Sequence, residues 1–302
     1  MQPGRGKGAR NLIVKIFRFF YHRKMGARKT EEIGAPADTI TFLGTAGARF
    51  MVSKQLAASG GMWLDWSGTQ ALIDPGPGCI VQVTKRKLNA EKLSAIIISH
   101  RHLDHAADVN VMVEAMTNGG FRKHGQLFAP SDALGPEPVI FSYLKSYIEG
   151  ITVLEAEKTY RTGNISFRTS VRHVHPVETY GMVFTMADQT IGYITDTRYF
   201  EGLERSYAGS DLVIINMVLT EPRPPVDHLS VPDVEKLIKD LRPKTVILSH
   251  FGMHVWQARP WLVAEEMSQK TGTRVIAARD GMKFDLAQLI DIKAENNGQP
   301  EI

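Results

Sequence analysis

The segment SHRHLDHAAD, residues 99–108, concentrates side chains that bind metal ions. His100, His102, Asp104 and His105 fall within six positions, and neutral imidazole and carboxylate groups are ligands that zinc and similar divalent ions favour. In an extended segment His100 and His102 point the same way, whereas Asp104 and His105 diverge as the chain turns. The spacing therefore indicates one pair of ligands for each of two ions. A polar turn that happens to contain histidines is the alternative interpretation.

Further histidines and an aspartate stand where other apolar, β-type runs end. His173 and His175 follow one such run, Asp196 follows a second in YITDT, and His250 follows TVILS. Functional residues commonly lie on loops that a rigid scaffold positions, so these side chains are candidates for completing a two-ion site. Because His173 and His175 are two residues apart, spacing alone leaves either as the ligand.

The elements that would position these residues alternate between strand and helix from Thr39 onward. Strands are predicted at 39–45, 95–99, 165–174, 211–218, 245–249 and 275–286, and hairpins at 62–74, turning at Ser67-Gly68, and at 181–194. Helices are predicted near 79–87, 106–117, 138–149, 231–241 and 257–270. Two blocks of strands with helices between them indicate an α/β fold of stacked sheets with helices outside.

Helix 231–241 has the clearest boundaries. Ser230 can cap its N-terminus, with Asp233 at the third helical position. The apolar stripe that should face the core consists of Val234, Leu237, Ile238 and Leu241.

Residues 1–38 form a basic N-terminal extension, separate from a domain at 39–290 and a C-terminal tail at 291–302. Residues 1–32 hold nine Lys or Arg and two Glu, a net +7, whereas the whole chain carries +4. The body is therefore mildly acidic, at −3, which argues against a surface for extended nucleic acid. An amphipathic helix within 10–29 would allow peripheral membrane contact; packing, disorder or a true start at Met25 are the alternatives.

The single cysteine, Cys79, opens an apolar segment and is expected in the core. No internal disulfide is possible, and no apolar run approaches the roughly 18 residues of a membrane span. A cytoplasmic location is expected.

The pattern H-x-H-x-D-H at 100–105, with a later histidine, TDT and SHFG, resembles the metallo-β-lactamase superfamily over about residues 39–286. That resemblance implies a four-layer αββα sandwich and two divalent ions, most commonly Zn²⁺, with Mn²⁺ or Fe²⁺ possible. By the resemblance, His100, His102 and His175 hold the first ion, Asp104, His105 and His250 hold the second, and Asp196 bridges them. The resemblance also implies that Asp74 has a structural role and supports the metal loop, residues 100–105.

The segment DHLSVPDVEKLIKDLRPKTVILSHFG is similar to ribonuclease Z and related phosphodiesterases. That similarity implies that His228 is a proton donor near the scissile phosphate; Asp227 could orient it or be solvated. Two departures argue against tRNA 3′-processing. His175 and Asp196 are only 21 residues apart, which leaves no space for a tRNA-gripping arm, and Asn216 stands at the histidine position of the family's His-Glu-Ala-Thr motif.

The resemblance therefore predicts a hydrolase of a small or cyclic phosphodiester. The attacking group would be a metal-bridging hydroxide oriented by Asp104 or Asp196, and His228 would protonate the leaving group. The alternatives are a lactone, thioester or other ester or amide hydrolase on the same ions, an iron oxidoreductase, and a non-enzymatic metal-binding protein. A homodimer is possible by analogy with relatives.

Other residues have weaker assignments. Arg122 and Lys123 could hold phosphate, although a solvated loop is the favoured interpretation. Trp63, Trp66, Met112 and Met116 are expected in the core rather than in the pocket. The remaining histidines, His22, His124 and His254, are expected at the surface or behind the site.

Overall fold

The structure is a computed structural model that describes residues 37–186 and 189–289. The predicted amphipathic segment at 10–29, His22 and the tail at 291–302 lie outside the described residues. Among those that are described, no helix has the length and apolarity needed to cross a membrane.

The described strands form two seven-stranded mixed sheets. They are β1 Thr39–Phe42, β2 Met62–Trp66, β3 Thr69–Ile73, β4 Leu93–Ile97, β5 Gln126–Pro130, β6 Gly150–Leu154, β7 Thr159–Thr162, β8 Ile165–Arg172, β9 Tyr180–Met186, β10 Gln189–Ile194, β11 Leu212–Asn216, β12 Thr245–Ser249, β13 Arg274–Ala277 and β14 Lys283–Asp285. The first sheet has the order β14-β1-β2-β3-β4-β5-β6, and the second has the order β13-β12-β11-β10-β9-β8-β7. Strands β3 to β6 are mutually parallel, as are β10 to β13.

Helices cover the outer faces of the sheets. They are α1 Ala48–Lys54, α2 Cys79–Lys85, α3 Leu103–Ala106, α4 Val109–Met116, α5 Val231–Leu241, α6 Met253–Gln257 and α7 Pro260–Thr271. One core, with Phe42, Phe167 and Phe184, lies between the two sheets. A second core includes Trp63 and Met112 under the helices of the first sheet, and a third lies under those of the second sheet. The expected four-layer αββα sandwich is confirmed.

The local chemistry of α5 explains its sharp boundaries. The backbone N–H of Ser230 donates to Asp233 Oδ2 at 3.0 Å, which fixes the helix start. The side chains of Val234, Leu237 and Ile238 are buried, so the predicted stripe faces the core.

Three predictions about elements were wrong. The helix expected at 138–149 is one 3₁₀ turn at Ser142–Ser146, because a helix to residue 149 would leave no chain to turn into β6 at Gly150. The segment 106–117 is divided between α3 and α4. Residues 275–286 do not form one strand, because their two halves pair with different sheets as β13 and β14.

Candidate metal centre

The candidate ligands meet at one edge of the sandwich. Asp74 follows β3, and residues 100–105 follow the adjacent parallel strand β4. On the second sheet, His175 follows β8, Asp196 follows β10 and His250 follows β12. Strands β8, β10 and β12 run in the same direction, so their carboxyl ends share an edge. Both sheets therefore contribute side chains to a single site.

His100, His102 and His175 form the first cluster of potential ligands. Their ring centroids lie 4.8–5.0 Å apart, and His175 Nε2 is 3.0 Å from His102 Nδ1. His175 Nδ1 lies 3.1 Å from the carbonyl oxygen of Asp227, which fixes the proton on Nδ1 and leaves the Nε2 lone pair facing His102.

Asp104, His105, Asp196 and His250 form the second cluster. His105 Nε2 lies 2.9 Å from His250 Nε2, and His250 Nε2 lies 3.4 Å from Asp104 Oδ2. Asp196 Oδ2 is 3.5 Å from His105 Nε2 and 3.9 Å from His100 Nε2, so this oxygen faces both clusters.

Asp74 anchors the base of the site. Its carboxylate accepts hydrogen bonds from Ser99 N and Ser99 Oγ, both at 2.7 Å, and from the Tyr193 hydroxyl at 2.9 Å. His105 Nδ1, at 3.0 Å, is the fourth donor. Because that proton lies on Nδ1, the opposite nitrogen of His105 is the one that a bound cation would contact.

Burial and charge shift the pKa values in opposite directions. Burial lowers the pKa of His100 well below its usual range. Burial also lowers the pKa of His175 to about 4, although the negative charge of Asp196 acts in the opposite direction. Burial also opposes charge on His105, but the surrounding carboxylates outweigh it and raise the pKa of that imidazole well above the usual range. The pKa of Asp196 is lowered despite burial, because His250 and His105 stabilise its anion.

These features fit divalent cations. Three carboxylates, Asp74, Asp104 and Asp196, lie among the imidazoles in a largely buried space. Within the described chain, His100 Nε2 and His250 Nδ1 are buried without a hydrogen-bond partner. Imidazole nitrogens face each other at 2.9–3.0 Å, close to the roughly 3.3 Å that separates ligands around tetrahedral zinc.

His228 lies beside both clusters. Its Nδ1 is 3.5 Å from Asp196 Oδ2 and has no hydrogen-bond partner among the described residues. Burial is the main reason that the pKa of His228 is lowered, although Asp196 acts in the opposite direction. Asp227 does not bond to this ring: its carboxylate faces Arg198, 3.7 Å away, while its carbonyl accepts from His175.

Several other residues with sequence-based assignments lie outside the clusters. The structure brings His175 rather than His173 to the other ligands, because His173 Nε2 lies 2.8 Å from the Tyr207 hydroxyl and Nδ1 lies 3.2 Å from the Asp196 carbonyl. Arg122 and Lys123 are exposed before β5, at the sheet edge opposite the metal loop, so they do not reach the site. Trp63, Trp66, Met112, Met116 and Cys79 are buried in the core, as expected.

His124 and His254 also stand apart. His124 is half-buried in the loop before β5, and His254 Nε2 lies 3.5 Å from Arg223 on an exposed surface. Asn216 was noted in the sequence only as a departure from a motif. In the structure its amide nitrogen lies 2.8 Å from Asp196 Oδ1, a contact that no spacing pattern indicates.

Comparison with known proteins identifies the family. A family model described as a beta-lactamase superfamily domain matches residues 69–251. The uncharacterized protein MJ1374 of Methanocaldococcus jannaschii is 30% identical over 256 residues, which cover 82% of this chain and 94% of MJ1374. The chain belongs to the β-lactamase superfamily.

Two further relatives are a probable metallo-hydrolase and a ribonuclease Z. The probable metallo-hydrolase YhfI of Bacillus subtilis is 26% identical over 55% of this chain and 70% of YhfI. Its crystal structure, 19% identical, aligns with a TM-score of 0.71 over 82% of this chain and 99% of YhfI. A ribonuclease Z of Borreliella burgdorferi is 21% identical over 82% of this chain and 96% of its own length. The chain thus has the metallo-β-lactamase fold and is similar to a probable metallo-hydrolase and to a ribonuclease Z.

Proposed function

We propose that this protein is a two-metal hydrolase that cleaves a small or cyclic phosphodiester, with Zn²⁺ as the expected ion. His100, His102 and His175 would hold one ion, and Asp104, His105 and His250 the other. Asp196 Oδ2 would contact both, because it faces both clusters. Divalent ions bound there would lower the pKa of water and polarise a phosphoryl oxygen.

Asp104 and His228 would handle the proton transfers. Asp104 is an anion, because His105 and His250 outweigh the effect of burial and hold its pKa below the usual range. Its carboxylate would accept a hydrogen bond from the attacking water and orient it. A bound phosphodiester would bring negative charge to His228, raise the pKa of that ring and favour the protonated form. His228 would then donate its proton to the leaving oxygen.

The observation that carries this proposal is the position of His228 Nδ1, 3.5 Å from Asp196 Oδ2 and outside both ligand clusters. An imidazole beside the centre that belongs to neither cluster is placed to give a proton to an alkoxide leaving group. The sequence similarity to ribonuclease Z supports phosphate-ester chemistry. The connection from His175 to Asp196 consists of one hairpin, β9–β10, and this favours a substrate smaller than tRNA.

The test measures metal content and substrate preference together. Protein reconstituted with Zn²⁺ or Mn²⁺ is analysed for bound metal and assayed with bis-p-nitrophenyl phosphate, cyclic nucleotides, lactones and nitrocefin. We expect two ions per chain and turnover of phosphodiesters. His228→Ala should lower that turnover by about 10²–10⁴-fold, the usual contribution of a positioned acid or base, with metal content unchanged.

His124→Ala is the matched control, because this histidine lies at the opposite edge of the sheet. It should leave turnover unchanged. Faster hydrolysis of a lactone or of nitrocefin would favour the alternative ester or amide hydrolase. Full phosphodiester turnover in His228→Ala would contradict the proton-donor assignment.

A further inference from the structure

Asn216 is a buried polar residue at the edge of the candidate metal centre that belongs to neither cluster. It ends β11 next to β10 and is 4% exposed. Its Nδ2 donates to Asp196 Oδ1 at 2.8 Å. The same nitrogen lies 3.4 Å from the Tyr193 hydroxyl and 3.5 Å from Thr195 Oγ1.

This contact orients the two oxygens of the Asp196 carboxylate. Oδ1 accepts from the amide and lies 3.5 Å from His250 Nδ1, whereas Oδ2 lies 3.5 Å from His105 Nε2 and 3.9 Å from His100 Nε2, one residue of each cluster. We propose that Asn216 is a positioning residue that fixes the Asp196 carboxylate so that Oδ2 is presented to both metal positions. The inference rests on the proposed two-ion site.

The amide group of Asn216 is chemically suited to this task. It carries two N–H donors and no charge, so one can bind Asp196 while the other points toward the Tyr193 hydroxyl. Tyr193 in turn donates to Asp74 Oδ2 at 2.9 Å. Asn216 therefore links the carboxylate that faces both clusters to the carboxylate that orients His105.

Two substitutions of Asn216 remove its N–H donor in different ways: one keeps the shape of the side chain, and the other adds no charge. Asn216→Asp keeps the shape of the side chain but replaces the N–H group that donates to Asp196 with a carboxylate oxygen, which accepts hydrogen bonds. Asn216→Ala removes the donor without adding charge, and so tests the inference even if the aspartate variant does not fold. Asn110→Asp is the matched control: Asn110 Nδ2 donates to the Val139 carbonyl at 2.9 Å, away from the metal clusters.

Each protein is stripped with chelator, titrated with Co²⁺ and with Zn²⁺, and examined by elemental analysis and by Co²⁺ visible absorption. Thermal unfolding of the metal-free forms reports folding. We expect wild type and Asn110→Asp to bind two ions with the same Co²⁺ spectrum. The Asn216 variants should bind one ion about 10–100-fold more weakly, with a changed Co²⁺ spectrum, because the Asp196 carboxylate is no longer held in one orientation.

The outcomes distinguish this inference from the proposed function. A folded Asn216→Ala variant with wild-type stoichiometry, affinity and Co²⁺ spectrum would overturn the positioning role and leave the two-ion site intact. Wild-type protein that binds no Co²⁺ or Zn²⁺ would overturn the two-ion site itself.

Discussion

At the scale of single residues, the Asp74 carboxylate joins the metal loop to the second sheet. Its four donors come from the backbone and side chain of Ser99, from His105 and from Tyr193. A carboxylate can accept all four bonds, whereas an amide must turn N–H donors toward at least some of these groups. The residue therefore supports the ligands through hydrogen bonds rather than by binding an ion itself.

We expect Asp74→Asn to weaken Zn²⁺ binding by about 10–100-fold, because His105 loses the partner that fixes its tautomer. The metal-free protein should lose about 2–4 kcal/mol of unfolding free energy through unpaired buried groups. Isothermal titration with Zn²⁺ and urea denaturation measure the two effects. Asp65→Asn is the control, because the half-buried Asp65 carboxylate on β2 accepts one bond, from Gln70 Nε2 on β3, and the change should alter neither quantity by much.

Sequence alone located part of the site, and the reason is physical. Residues 100–105 lie within one loop, so their clustering is visible in the sequence. His175, Asp196 and His250 follow strands that the fold brings together, and they could be grouped only through strand-end positions and family resemblance. The Asn216 amide and the Asp227 carbonyl act through contacts between distant segments, and neither residue type signals such a role in advance.

At the scale of secondary-structure elements, α5 connects the stability of the fold to His228. The helix starts at Val231, two residues after Leu229, and its capping box uses Ser230 and Asp233. The Leu229 carbonyl accepts from Leu219 N at 3.2 Å, which holds this connection against the chain that follows β11. The helix start therefore fixes the end of the loop that carries His228.

Asp233→Ala should destabilise the protein by about 1 kcal/mol, the usual effect of a lost cap. Because this change frees only the α5 end of the loop that carries His228, we expect a modest loss of turnover and no loss of bound metal. Urea denaturation, the assay and elemental analysis test these points. Asp240→Ala, an exposed change in the last turn of the same helix, should cause no loss of stability; equal destabilisation by both changes would refute the capping argument.

Elements with strong local signals were predicted well, and those defined by their neighbours were not. The bounds of α5 and β12 match the sequence prediction because caps and β-branched runs mark them. Strands β5 and β6 were missed: QLFAP contains proline and lacks alternation, and its pairing with distant GITVL completes the sheet. Helix α1 was also missed, since it follows Gly47 without a side-chain cap.

At the scale of the whole described domain, the candidate metal centre takes side chains from both halves of the sandwich. The first sheet supplies the loop at 100–105, and the second supplies His175, Asp196 and His250. The three nearby carboxylates raise the pKa of His105, although burial acts against its charge. Bound cations would replace the proton that this raised pKa favours and would join the sheets through shared ligands.

Metal removal should therefore lower global stability and not only activity. A ligand that binds the folded state alone, at 1,000 times its Kd, adds about 4 kcal/mol. For a domain of this size about 1 kcal/mol shifts Tm by roughly 2–4 °C, so Zn²⁺ should raise the Tm of chelator-treated protein by about 10 °C or more. Calorimetry across a Zn²⁺ titration measures this shift. His175→Ala and His250→Ala should each reduce it, while His124→Ala should preserve it; an unchanged Tm in saturating Zn²⁺ would contradict a centre that joins the sheets.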